Sequence, residues 1–453
     1  MPEYTVIQEK KGITGRTVIL LFLLTAGVFS LSLKNDFQRG WDDQWQVLDN
    51  PFVTDLSWDY LYYHFTHFFH GQYSPVNTMF YALVFALAGY NPAAFHALSL
   101  IIHLLNVMMV FSLAKRLFST LPKIKGNKME WYAGLVALVF GIHPLQVESV
   151  SWISASKVLL FSFFTLIALH IYTRYIETKK YLLLVWVMVC YLLAFGSKEQ
   201  AVVLPLTLIT LDYFFGRLKD LSFSWRSWLQ PVVIEKLPFL LVALGMWYFS
   251  SRNGLGHLQD VNAYPFGQRL VFGAHSLVVY IFRFLAPVKM YYFYFYPMVQ
   301  GEPLPAIYWS YPVLLLIIVW FGVEQYRKGN RLTVFGLLFF LVNLLLVIHL
   351  LPMPRKMITA DRYMYLSIFG LAIAAVPFVE RFFQWFAKQK KIWLPGLLMV
   401  LWLAATGGYS VYRTTQWKDS PTIKSNINKL IEKRKAAGGK GLENPVKGKM
   451  RNE

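Results

Sequence analysis

Two aspartates stand side by side at 42 and 43, between Trp41 and Trp45, with Asp49-Asn50-Pro51 following. A carboxylate set against aromatic rings and beside a second carboxylate can act as a general base or ligate a divalent metal. Taken alone, such a pair reads as a solvated loop with Asx turns. Three further segments add complementary chemistry. GIHPLQVESVSWISASK carries His143, Glu148 and Lys157, GSKEQ carries Lys198 and Glu199, and PMPRKMITADRYMY carries Arg355, Lys356, Asp361 and Arg362. Cations at a bilayer surface suit a phosphate, which Arg grips bidentately and Lys as a point charge. Each segment singly reads as an interfacial ion pair, and their recurrence on one face is what favours a site. Lys157, Lys198 and Arg362 are then the phosphate candidates, with Asn50, His143, Glu148, Glu199 and Asp361 as supporting polar groups.

Other constellations carry less. His64, His67 and His70 would spread over about 120° of a helix. Their neighbours Phe65, Phe68 and Phe69 make that stretch an interfacial aromatic helix rather than a zinc site. His96 and His103 share one face of a spanning helix and should be hydrogen-bonded within the bundle. There is no GxxxxGK[ST] and no GxGxxG after a strand, which argues against an ATP-driven pump or a cytosolic nucleotide-sugar enzyme. The two halves of the chain do not resemble each other, so an inverted-repeat transporter gets little support. A flippase for a lipid-linked substrate and a non-catalytic membrane subunit stay open as alternatives.

What must position these residues is a membrane bundle. Of 453 residues, 56% are hydrophobic and 15% charged, against about 45–50% and about 25% in soluble proteins. Apolar runs of about 20 residues recur throughout, the pattern of spanning helices. The single cysteine, Cys190, excludes an intramolecular disulfide and reads as a packed thiol. The net charge of +20 does not imply nucleic acid. Half of the 44 basic residues fall in 10–16, 115–128, 174–180, 217–236, 327–331 and 381–391, which the positive-inside rule puts in the cytoplasm. Alternation then gives an all-α protein of about 11 spans, N-terminus cytoplasmic, with the candidate residues on the opposite face. Residues 76–90 and 270–286 are read as interfacial or re-entrant rather than crossing. Residues 1–411 form the membrane domain, with a first outer loop at 34–91 holding interfacial helices. Residues 412–453 form a basic polar tail with a short helix near 422–437.

The loops also spell a family. WDDQWQVLDNPFVTDLS, GQYSPVNTMFYALVFALAGYNPAAFHALSLIIHLLN, FGIHPLQVESVSWISASKVLL, KEQAVVLPLTLITLDYFFGR and ADRYMYLSIFG occur in the same order as in bacterial relatives of the transmembrane and tetratricopeptide-repeat O-mannosyltransferases. The chain resembles that family over about residues 35–420. The resemblance implies a C-type glycosyltransferase bundle with its active site on the non-cytoplasmic face, periplasmic in a bacterial inner membrane. It implies inverting transfer of a sugar, mannose first, from a polyprenyl-phosphate carrier to a protein Ser/Thr or glycan hydroxyl. Asp42 and Asp43 match the family's acidic pair, and His143, Pro144, Glu148 and Ser149 its HPxxxES block. No cofactor is expected beyond a possible divalent metal at Asp42/Asp43. Where the family has ERK this chain reads SASK, keeping only Lys157. The family's repeats are absent after QWKDSPTIKSNINKL, so a protein partner is expected to supply their acceptor-selecting role.

Overall fold

The computed structural model describes residues 11–218, 231–253, 264–350 and 357–436, so Arg355 and Lys356 lie outside the described residues. The described chain is α-helical. In chain order the helices are α1 (Lys11–Phe29), α2 (Pro51–Thr54), α3 (Trp58–Thr66), α4 (Pro75–Ala88), α5 (Pro92–Ser119), α6 (Asn127–Ile142), α7 (Val147–Ser151), α8 (Ser156–Thr178) and α9 (Leu182–Ser197). Then come α10 (Leu204–Phe214), α11 (Pro231–Ile234), α12 (Leu237–Asn253), α13 (Phe266–Leu285), α14 (Ser310–Arg327), α15 (Arg331–Leu344), α16 (Ser367–Lys388), α17 (Trp393–Gln416) and α18 (Ser420–Ala436).

Among the described residues, seven helical stretches are long and apolar enough to cross a bilayer, and α6 with the bent segment after it makes an eighth. The chain is an integral, multi-pass membrane protein. The expectation of about 11 spans counted 182–197, 200–216 and 332–350 as well. These fall on α9, α10 and α15, of 16, 11 and 14 residues, each shorter than the roughly 20 needed for an untilted crossing. α4 has 14 residues and lies within the first long loop, where a helix of about 21 Å cannot cross a core of about 30 Å. α13 is not among the seven and buries Arg283 on its packed face.

Packing follows residue size. α15 and α16 approach until a Cβ placed on Gly370 would stand 2.5 Å from the Gly336 carbonyl oxygen, the small-residue contact by which membrane helices gain van der Waals energy. His103, buried on α5, faces the Tyr365 hydroxyl at 2.8 Å and the Gly141 carbonyl at 2.9 Å, as its place in a spanning helix suggested.

Two expectations need correction. His64, His67 and His70 do not share one helix. α3 ends at Thr66, His67 is extended, and His70 has φ 46°. The Thr66 hydroxyl donates back to the Tyr62 carbonyl and meets His67 Nδ1 at 2.8 Å, which closes the helix there. Nor does the fold stop at 411. α17 continues to Gln416, and α18 buries Ile423, Ile427 and Ile431 at i, i+4, i+8 in the main core. The composition of this stretch is polar because its other face is exposed.

The C-terminal segment also braces the first long loop. Asp36 N–H donates to the Lys418 carbonyl at 2.7 Å, and the Gln38 side-chain amide donates to the Trp417 carbonyl at 2.8 Å.

Candidate functional site

The adjacent aspartates have different surroundings. Asp43 is fully buried. Its Oδ2 accepts from Gln38 N at 2.8 Å, and its Oδ1 accepts from Ser154 N at 2.8 Å and from the Ser154 hydroxyl. Oδ1 thus ties the first loop to the segment that opens α8, while Oδ2 closes a turn within the loop itself. Burial pushes the Asp43 carboxyl up to about 6 despite these bonds, with the Asp42 charge adding to the rise. Asp42 is half-buried, and its Oδ1 accepts from Trp45 Nε1 at 3.1 Å. A widened π turn, Gln44–Leu48, follows the pair, a distortion frequent at functional sites.

Two of the candidate cations, Lys157 and Arg362, lie in the field of Asp42, and the third, Lys198, shares an aromatic ring with Arg362. Lys157, in the first turn of α8, lies in the field of Asp42, Arg362, Glu199 and Asp43, and its ammonium donates to Gln72 Oε1 at 2.9 Å. Arg362 stands over the Trp152 ring at 5.4 Å and the Tyr363 ring at 5.1 Å, while Lys198 stands 5.4 Å from the same Tyr363 ring. Arg362 is oriented by Glu148, whose Oε2 accepts from Arg362 N at 2.9 Å and whose Oε1 pairs with its guanidinium. Burial pushes the Glu199 carboxyl above its ordinary range, against the pull of Lys157 and Lys198.

The remaining candidates are engaged elsewhere. His143 accepts from Leu145 N at its Nδ1, so its Nε2 carries the proton and donates to the Phe284 carbonyl at 3.1 Å. Both ring nitrogens are therefore occupied, and His143 is a structural residue. Asn50 caps α2, accepting from Phe52 N and donating to the Gln46 carbonyl, each at 3.0 Å. Asp361 is fully buried between Arg413 (3.4 Å), Arg283 (3.6 Å) and the Tyr294 hydroxyl (2.9 Å).

The structure adds residues that motif spacing does not reveal. Gln72 and Tyr73 come from the α3–α4 connection and Ser154 from the segment before α8. Trp152 and Trp417 stack with ring centroids 5.5 Å apart, and Trp41 meets both edge-on. Tyr73, Val76, Phe195, Met246 and Phe249 line an apolar cavity of about 320 Å³ between α4, α9 and α12. It opens beside the loop that carries Gln72, the partner of Lys157.

A divalent metal at Asp42/Asp43 does not fit this donor set. Asp43 spends both oxygens on N–H and O–H donors, and among the described residues no group of three or more His, Cys, Asp or Glu converges.

The fold and site define a multi-pass helical membrane protein with a half-buried carboxylate, Asp42, in the field of Lys157 and Arg362. In sequence the chain is similar to Protein O-mannosyl-transferase TMTC1 of Homo sapiens, 28% identical over 163 residues, covering 33% of this chain and 17% of that protein. Protein O-mannosyl-transferase F38B6.6 of Caenorhabditis elegans is 26% identical over 214 residues, covering 45% of this chain and 29% of its own length. The matched stretches span less than a third of these curated relatives. No protein-family profile matches the chain. Among solved structures it is similar to the archaeal oligosaccharyltransferase AglB from Archaeoglobus fulgidus in complex with an inhibitory peptide and a dolichol-phosphate. That similarity has 12% identity and a TM-score of 0.48, covering 96% of this chain and 60% of the other.

Proposed function

We propose that this chain is an inverting membrane glycosyltransferase that moves a sugar, mannose first, from a polyprenyl-phosphate carrier to a protein Ser/Thr or glycan hydroxyl. The observation that carries the reading is the juxtaposition of half-exposed Asp42 with Lys157 and Arg362, with Lys198 on the Tyr363 ring that Arg362 also meets, beside an apolar cavity. A hydroxyl is too weak an acid to attack unaided at neutral pH. Asp42 takes its proton as the oxygen bonds to the anomeric carbon, a contribution of about 10²–10⁴-fold. The bond from that carbon to the phosphate oxygen breaks with its electron pair, and the departing phosphate gains charge beside Lys157, Lys198 and Arg362. Glu148 keeps Arg362 aimed, Asp43 holds the loop that presents Asp42, and the cavity takes part of the carrier's apolar tail. The relatives named as O-mannosyltransferases support mannose as the first sugar to try. The site end of the bundle is then the periplasmic face of a bacterial inner membrane.

The test is transfer by purified protein in nanodiscs, offering polyprenyl-phosphate mannose and other polyprenyl-linked sugars to a Ser/Thr-rich peptide. Transfer that an Asp42→Asn variant lacks is the expected result. No transfer with any donor, from folded protein, overturns the reading.

A further inference from the structure

Helix α18 takes no part in the reaction proposed above, yet it carries Lys424, Lys429, Lys433, Arg434 and Lys435 against one acid, Glu432. Its two faces are chemically distinct. Ile423, Ile427 and Ile431 form a buried row, Lys429 and Lys433 lie exposed on the other side of the helix, and Lys435 is exposed one turn beyond Ile431 where that row ends. Its start is fixed at the rim of the first loop, next to the Lys418–Asp36 bond. Its far end is fixed by Arg434, which donates to the Tyr296 carbonyl, faces the Phe295 ring at 5.3 Å and lies in electrostatic range of Tyr308.

Tyr308 gives this end a place in the membrane. It sits in the turn Ala306–Trp309 that opens α14, and within the apolar stretch Ala306–Arg327 the one buried residue is Gln325, near the opposite end. Such a span faces lipid, and Trp and Tyr at its mouth mark the headgroup level. Ile307 and Trp309 are 68% and 57% exposed there. The lysine-bearing end of α18 is therefore next to the level of the headgroups, with Lys429, Lys433 and Lys435 exposed.

We propose that Lys429, Lys433 and Lys435 bind anionic phospholipid headgroups at the site end of the bundle, and that this contact holds α18 down against the first loop. Charge complementarity selects the occupant. Each lysine near an anionic surface strengthens association by roughly fivefold at low salt, an effect that fades once the Debye length falls to a few ångströms. The proposal does not depend on the transferase reading.

Hydrogen exchange of α18 amides tests it, using the full chain in nanodiscs of phosphatidylcholine with or without phosphatidylglycerol. Anionic lipid is expected to slow exchange across Ile423–Lys435 by about tenfold or more, reversibly with salt. A Lys429→Gln/Lys433→Gln/Lys435→Gln variant should match the native chain in neutral nanodiscs and lose the response to phosphatidylglycerol. Equal exchange in both lipids, or an undiminished response in the variant, overturns the proposal. Slowing by an acidic peptide in neutral nanodiscs, with no response to phosphatidylglycerol, also overturns it and assigns the face to a protein.

Discussion

Replacing each aspartate by asparagine separates two roles that the sequence gives to one pair. At Asp42, asparagine keeps an oxygen for Trp45 Nε1 but cannot take up a proton, so transfer should fall about 10²–10⁴-fold with stability little changed. At Asp43, asparagine can keep one oxygen on Ser154 but turns an N–H₂ toward Gln38 N, two donors face to face. An unsatisfied buried donor costs about 1–3 kcal/mol. Against this, the rise of the Asp43 carboxyl from 3.8 to about 6 means that its buried charge costs about 3 kcal/mol at neutral pH, which asparagine removes. The two effects nearly cancel at pH 7, so absolute stability is a poor test and pH dependence a good one. The native protein binds more protons folded than unfolded between about pH 4 and 6, so its stability rises as pH falls through that window. From pH 7 to pH 5 the native chain should gain on the order of 1 kcal/mol over Asp43→Asn, read as thermal stability in nanodiscs at each pH. Full transfer by Asp42→Asn, or a difference that shrinks on acidification, refutes the reasoning.

Arg362→Ala leaves Glu148 buried without its guanidinium and, on the proposed mechanism, removes a phosphate partner. The KM for the lipid-linked donor should rise at least tenfold with a smaller loss of kcat, and unchanged donor kinetics would remove Arg362 from the site. Gln38→Ala deletes the donor to the Trp417 carbonyl, costing about 1–3 kcal/mol, and should lower kcat without changing donor KM; a purely thermal effect would make this brace irrelevant to transfer. Gly370→Val forces side-chain atoms onto the α15 backbone and should cost about 3 kcal/mol or more, seen as loss of folded protein on size-exclusion chromatography. Normal yield and thermal stability would show that the crossing relaxes.

The class of fold was legible because a bilayer demands long apolar helices, and the cations were legible because charge beside such helices is rare. The number of crossings was less so, since α9, α10 and α15 are short and apolar runs alone do not separate a crossing from a buried segment. Spacing could not distinguish Asp42 from Asp43. The two differ through Gln38 and Ser154, the latter 111 positions away. His143 looked available because HPxxxES places it beside Glu148, but a histidine at the end of α6 also finds backbone partners on both sides. Trp417 was hidden inside a stretch whose average composition is polar.

The brace between the two ends of the chain has a consequence for biogenesis. Gln38 and Trp417 are 379 positions apart, so the loop that presents Asp42 enters the membrane early but cannot acquire its final support until the last span has been inserted. Every partly translated intermediate then carries both aspartates yet lacks the clamp that fixes them. On the proposed function, competence for transfer should switch on only when synthesis passes the end of α17, a delay that keeps a half-made chain from acting on a lipid-linked donor.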